Sequence, residues 1–159
     1  MSLDRESSVP PWDAVSHLLR CRLAYIRSLR FFTSDHRPTD TFQFELNTNT
    51  GDAWTVLSGN DGESTSIRSG VISESDAADI SDLGYLKIVD EISHPVEVLH
   101  KEIKSIRLFH LNDNLLIGFR FTLKDGGWLE IVNAGDKLVL LVNEEHPLVR
   151  CVRQTELGD

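Results

Sequence analysis

One stretch of this chain is written twice. Displaced by 77 residues, Asp13–Leu46 lies on Asp90–Leu123 without a gap, and ten of the 34 positions are identical: Asp13, Ser16, His17, Ile26, Ser28, Arg30, Phe32, Phe42, Phe44 and Leu46. Chance would give about two matches, because random pairs agree at roughly one position in 17 at ordinary composition. Beyond Leu46 the displacement falls to 75, with Gly51 over Gly126, Trp54 over Leu129, Val56 over Ile131 and Asp61 over Asp136. A turn two residues longer in the first copy accounts for the change, since loop length is the cheapest thing to vary. A fold for this chain must therefore use one backbone plan twice.

The second copy shows what that plan is. In Ile117-Gly118-Phe119-Arg120-Phe121-Thr122-Leu123 every second side chain is apolar, the period of a half-buried strand. Asp125-Gly126 is a hairpin-turn signal, Trp128–Val132 is the return strand, and Asn133–Asp136 is a second turn. Lys137–Val142 is apolar after its first residue and reads as a strand buried on both faces, and Ile103–Phe109 supplies one more upstream. Each copy is thus expected to be a meander of about four strands.

Helix propensity over Asp13–Phe32 competes with this reading. Pro95 follows His94 in the second copy and excludes a helix interior there, so Leu23–Phe32 is predicted as strand, with at most a short helix near Trp12–Leu19. Ser75–Asp90 is expected to be a short acidic helix or an irregular linker, capped by Ser73 or Ser75.

A single four-stranded meander has an apolar face to hide. Two copies hide theirs against each other around a pseudo-twofold axis, as in a closed dimer joined in one chain. The predicted fold is mainly β: two tandem pseudo-symmetric antiparallel repeats in one sandwich or barrel, with at most short helices. The expected organisation is a flexible N-terminal segment over 1–12, a first repeat over 13–67, an acidic connector over 68–89, a second repeat over 90–142 and a C-terminal tail over 143–159.

Charge narrows the function. Sixteen Lys and Arg face 25 Asp and Glu, for a net charge of −9. That field repels phosphate backbones, so nucleic acid is not an expected partner. The distribution is uneven: His17–Ser34 carries Arg20, Arg22, Arg27 and Arg30 and only basic charge, while acids dominate Asp61–Glu91. No apolar run approaches the ~18 residues that span a bilayer, and Met1–Pro11 lacks the apolar stretch of a signal peptide. Two distant cysteines, Cys21 and Cys151, make no disulfide framework and are expected as reduced, buried thiols in a cytoplasmic protein.

Catalytic motifs do not emerge. The chain carries no phosphate-binding loop, no dinucleotide fingerprint, no Gly-x-Ser-x-Gly and no His-Glu-x-x-His. His17 and Cys21 have the spacing of a metal pair, yet no second pair completes a tetrahedral site, so neither metal nor cofactor is expected. The Asp-x-x-Ser-His element, present at Asp13 and again at Asp90, is the most unusual shared feature. Functionally, His17 and His94 would meet in one cleft as bases or anion ligands. Structurally, short polar residues at a strand entrance tie down backbone groups. Arg30 and Arg107 are expected to pair with acids on a sheet face.

The segment Gly118-Phe119-Arg120-Phe121-Thr122-Leu123-Lys124-Asp125-Gly126-Gly127-Trp128-Leu129-Glu130-Ile131-Val132-Asn133-Ala134-Gly135-Asp136 resembles the tail of small bacterial β-rich proteins, some of them similar to immunity proteins that neutralise toxins of contact-dependent or secreted systems. The resemblance covers mainly 103–136. It implies a cytoplasmic, non-enzymatic protein that acts by binding its partner, and it transfers no binding residue. Three readings follow: a non-catalytic binding protein, an immunity-type inhibitor among them, whose acidic surface suits a basic protein partner; a small-ligand module or enzyme with a cleft between the repeats near His17 and His94; and an assembly protein that forms homo-oligomers through edge strands.

Overall fold

The computed structural model describes residues 11–59, 61–77, 82–90, 98–112 and 115–158. A short helix, α1 (Pro11–Ser16), leads into ten strands: β1 (Leu23–Thr33), β2 (Pro38–Thr48), β3 (Ala53–Ser58), β4 (Thr65–Ser69), β5 (Gly84–Asp90), β6 (Ile103–Asn112), β7 (Leu115–Leu123), β8 (Trp128–Asn133), β9 (Leu138–Val142) and β10 (Arg153–Gly158). They form two antiparallel five-stranded sheets, ordered β4-β3-β2-β1-β5 and β10-β6-β7-β8-β9. The sheets share one core, a sandwich, in which Ile26, Phe44, Leu46 and Val56 of the first meet Ile106, Phe119, Phe121 and Ile131 of the second. Each phenylalanine fully buried here stabilises the fold by about 1.5–3 kcal/mol. Ala14, Val15 and Leu18 of α1 and the turn after it join the same core.

Each sheet has five strands where the sequence pattern indicates about four. The fifth comes from segments expected to be connector and tail. Residues 68–89 include the end of β4, a 3-10 turn at Glu74–Asp76 and most of β5, and residues 143–159 contain a 3-10 turn at Pro147–Cys151 and then β10. In both sheets the chain leaves the fourth strand at one edge, crosses the outer face and returns beside the first strand at the other edge. A six-residue, largely polar strand such as Arg153-Gln154-Thr155-Glu156-Leu157-Gly158 has little hydrophobic signature, because an edge strand is held chiefly by its backbone ladder. The same position explains β9. Its uniformly apolar sequence suggests burial on both faces, but it forms a sheet edge, and only Leu138 is buried. Ser73 precedes the Glu74–Asp76 turn without a side-chain capping bond; its hydroxyl meets that of Ser75 at 2.6 Å.

The two sheets agree beyond strand order, but not at the displacement read from the sequence. Leu23–Thr48, Ile26–Leu46, Leu29–Gln43 and Arg30–Thr41 pair in β1–β2 as Ile103–Leu123, Ile106–Phe121, Phe109–Gly118 and His110–Leu116 pair in β6–β7, with the register irregularities in the same places. Corresponding residues are therefore 80 apart in the first strands (Leu23 to Ile103) and already 75 apart in the second (Thr48 to Leu123). Left-handed backbone positions recur in step: Arg20 with His100, Gly51 with Gly126, Gly62 with Gly135 and Gly70 with Asn143. The gap-free match of Ile26-x-Ser28-x-Arg30 to Ile103-x-Ser105-x-Arg107 thus crosses faces. Ser28 pairs with Phe44 on the core side, whereas Ser105 lies on the outer side, donating to Glu156 at 3.2 Å. A shift of three residues inverts in and out on a strand of period two, and only the bulges keep Ile103 and Ile106 both inside.

Each outer face holds a buried glutamate beneath the crossing segment. Glu45 of β2 accepts both Arg27 Nε and Nη2 at 2.7 Å, Asn47 Nδ2 at 2.8 Å and the backbone N–H of Ile72 at 2.7 Å. Glu130 of β8 accepts Arg120 Nε and Nη2 at 3.0 and 2.9 Å and the backbone N–H of His146 at 2.7 Å. Arg120 also lies over the rings of Phe109 and Trp128, and Val149 of the second crossing packs with Phe109, Ile117 and Val132. Both crossings are thus fastened to a buried glutamate, and the second also by an apolar plug. Burial by itself would raise the Glu45 carboxyl. The bonds from Arg27, Asn47 and Ile72, with the charge of Arg27, outweigh it and hold the group below the usual carboxylate range.

Candidate functional site: a basic end of the sandwich

The segments entering β1 and β6 are laced together. Arg20 N donates to Ile103 O at 2.8 Å, Ile103 N to Cys21 O at 2.9 Å and His100 N to Leu23 O at 2.7 Å, and Arg22 bridges Glu102. The β7–β8 turn is tied to the same place, with Lys124 N donating to Glu102 O at 3.0 Å. Lacing of this kind fixes side chains that are far apart in sequence. Two adjoining hollows result, of about 320 and 340 Å³. Arg20, Lys104, Lys124 and Glu102 line the first; Arg22, His100, Lys101, Asp125, Lys124 and Glu102 line the second.

Five permanent cations thus face two carboxylates. Lys101 pairs with Asp125 at 2.5 Å and Lys124 with Glu102 at a looser 3.7 Å. Lys101 and the backbone N–H of Gly127 hold the Asp125 carboxyl below its ordinary range. Arg20, Arg22 and Lys104 have no carboxylate partner among the described residues. All three residues are exposed. The Arg20 backbone is left-handed (φ 67°), as is that of His100 (φ 64°), so both strand entrances turn their basic residue the same way.

Elsewhere, four carboxylates are engaged in holding the fold. Glu45 and Glu130 are fully buried in ion pairs. Asp61 accepts the backbone N–H of Glu63 and of Ser64 and the Ser64 hydroxyl, bonds that lower its pKa. Glu145 bridges Arg120 and Arg150, which lowers it too.

Of the histidines singled out by sequence, His17 lines neither hollow. His17 is exposed at the end of α1 and stacks on Trp54, ring centroids 5.5 Å apart. His94, with Ser93, lies outside the described residues. Ser16 Oγ donates to Asp13 O at 2.9 Å, closing the helix locally. Cys21 donates its thiol to His17 O at 3.1 Å, and burial, reinforced by Asp52, raises its pKa, which disfavours the nucleophilic thiolate. Cys151 is exposed rather than buried. No cluster of three metal-ligating side chains occurs among the described residues. Arg107 meets an acid as expected, Glu156 at 3.6 Å, while Arg30 Nε donates to the Thr41 hydroxyl at 3.2 Å. The run of arginines after His17 was the signal available for the basic end; its lysine half, on β6 and the β7–β8 turn, needed the pairing of the two strand entrances to be visible.

Among known proteins, no family model, no curated protein and no solved structure matches this chain. No helix among the described residues is long and apolar enough to cross a membrane.

Proposed function

We propose that this protein is a non-catalytic binding module whose basic end takes an acidic segment of a protein partner. The observation that carries the reading is the convergence of Arg20, Arg22, Lys101, Lys104 and Lys124 in a chain of net charge −9. Cations gathered from three segments against the overall charge balance make a local attractive field. With a Debye length of about 8 Å at physiological salt, a compact acidic segment meets that field and little of the rest. A long nucleic acid duplex would run past the patch into the acidic remainder of the surface, which is why a protein segment fits better. A toxin neutralised by an immunity-type inhibitor is one partner of this kind. Net charge alone suggests a basic partner instead, and the same titration with a Lys/Arg-rich peptide tests that alternative.

The test is fluorescence anisotropy of a labelled Asp/Glu-rich peptide against the protein and against the triple variant Arg22→Gln, Lys104→Gln, Lys124→Gln. All three positions are outside the core, so the melting temperature should hold. Binding should weaken with added salt and fall at least about tenfold in the variant. Equal binding by the two proteins, or tighter binding of a DNA oligonucleotide of the same charge, would overturn the proposal.

A further inference from the structure

The two hollows of the basic end differ in charge. Arg20, Lys104 and Lys124 line the first against one carboxylate, Glu102, which leaves it a net charge of +2. The second sets Arg22, Lys101 and Lys124 against Glu102 and Asp125, a net charge of +1 with His100 neutral, and there Lys101 is already paired with Asp125. Glu102 answers little of the first hollow. It reaches Lys124 only at 3.7 Å, and the Lys124 side chain is 76% exposed. Arg20 and Lys104 are exposed and have no ion pair among the described residues.

These three cations come from the segment before β1, from β6 and from the β7–β8 turn. Backbone bonds hold the segments together: Arg20 N to Ile103 O at 2.8 Å, Ile103 N to Cys21 O at 2.9 Å and Lys124 N to Glu102 O at 3.0 Å. Their main chains therefore need no ordering when an anion arrives, which removes part of the cost of binding. Neither lining includes an apolar side chain. A nucleobase or an acyl tail finds no greasy surface here, and the first hollow offers an anion its cations and their N–H donors.

We infer that the first hollow takes a phosphorylated side chain, a phosphoserine of the partner's acidic segment, with a neighbouring carboxylate of that segment in the second hollow beside Arg22. The inference rests on the reading of this end as the site for an acidic protein segment, and it names the group that segment carries. A phosphoryl group at pH 7 bears a charge of about −1.5 to −2 and presents three acceptor oxygens. It answers the whole charge of the first hollow, where a carboxylate leaves part of it unanswered. The arginine adds a planar fork that matches phosphate oxygens, and the two lysines act as point charges beside it.

The experiment is fluorescence anisotropy of three labelled peptides, identical but for a central serine, glutamate or phosphoserine between two aspartates. Each is titrated with the full chain and with Lys104→Gln, Arg20→Gln and Arg22→Gln. The phosphoserine peptide is expected to bind at least about tenfold more tightly than the glutamate peptide, and the serine peptide to bind most weakly. Losing Lys104 or Arg20 should shrink the phosphoserine-over-glutamate ratio to below about threefold, while Arg22→Gln should weaken both peptides and leave the ratio as in the parent. All three positions are exposed, so the fold should persist, and should Lys104→Gln or Arg20→Gln fail to fold the other still decides. Equal binding of the glutamate and phosphoserine peptides would overturn the inference and leave the acidic-segment reading standing. Binding by none of the three would overturn both. The inference also fails if the ratio survives both first-hollow variants, if inorganic phosphate competes as well as the phosphopeptide at equal concentration, or if vesicles containing a phosphoinositide bind more tightly than the phosphopeptide.

Discussion

Substituting Glu45→Gln tests how the outer face of the first sheet is held. The glutamate side chain is fully buried, and its two oxygens accept four hydrogen bonds, two of them from Arg27. Glutamine keeps the shape and one carbonyl oxygen but turns an amide NH2 toward another donor. At least one of Arg27 or the Ile72 N–H then loses its acceptor. Breaking a buried ion pair from one side costs about 3–5 kcal/mol. Arg27 is 30% exposed and can turn partly to water, so a loss of about 3 kcal/mol is expected at pH 7. For a chain of this size that is a fall of roughly 6–12 °C in melting temperature. Urea unfolding of both proteins should show a lower midpoint with an unchanged slope.

The pH dependence supplies a second check. The folded Glu45 pKa lies below its unfolded value, so its contribution is fully present above the unfolded pKa, near 4.3, and is lost as pH falls through the folded pKa. Asp61, Asp125 and Glu145 are lowered in the same direction in both proteins and cancel in the difference. The gap between parent and variant should therefore be widest at neutral pH and narrow in the acid range below about pH 4. A gap under about 0.5 kcal/mol at pH 7, or one that does not change with pH, would refute the reasoning.

Other outcomes follow from the same architecture. Gly118→Ala should destabilise by about 2 kcal/mol in urea unfolding, because an added Cβ would lie 2.4 Å from the Ile131 carbonyl oxygen on the neighbouring strand. Asn143→Ala should lower the melting temperature by a few degrees, about 1–2 kcal/mol, since Asn143 combines a left-handed backbone (φ 56°) with the acceptor for Trp128 N–H at 2.9 Å. Truncation after Val152 removes β10 and uncovers the β6 edge. Native-state hydrogen exchange should then accelerate at alternate amides of β6 and leave β7 and β8 slow, whereas a disordered tail would leave β6 unaffected.

Sequence made the mainly β fold legible because Ile117–Leu123 alternates in sequence and is joined to the return strand by Asp125-Gly126, whose glycine is left-handed as a tight turn demands, although in the fold β7 and β8 are buried on both faces. The duplication carried that reading to Leu23–Thr33, where local propensity favours helix. What stayed hidden has physical reasons. The fifth strands are edges with weak alternation. Bulges shift correspondence by whole residues without leaving a mark in a gap-free alignment. Glu45 and Glu130 look like ordinary polar positions of half-buried strands, because the segments that bury them come from residues that read as linker. The histidine pair owes its prominence to identity between the copies, and His94 lies outside the described residues. The cations that do converge are barely shared between the copies, since the Arg20 and Arg22 positions correspond by register to His100 and Glu102.

That last contrast bears on where binding should be sought in a chain whose two sheets share strand order and register. Positions kept in both copies serve what both copies need, which is folding: the inward residues at Ile26 and Ile106, Phe44 and Phe119, and the left-handed turns. A partner or ligand meets the molecule once, so its site is made where the copies differ. The basic end depends on lysines of the second copy, Lys101, Lys104 and Lys124, meeting arginines of the first. The junction of β9 with β2 likewise has Leu138 where that of β4 with β7 has the Thr65 hydroxyl. Replacing Thr65 with leucine would leave the Ile117 carbonyl without its donor and cost about 1–3 kcal/mol in urea unfolding. Divergence between the two sheets, more than their likeness, is where the proposed binding is to be tested.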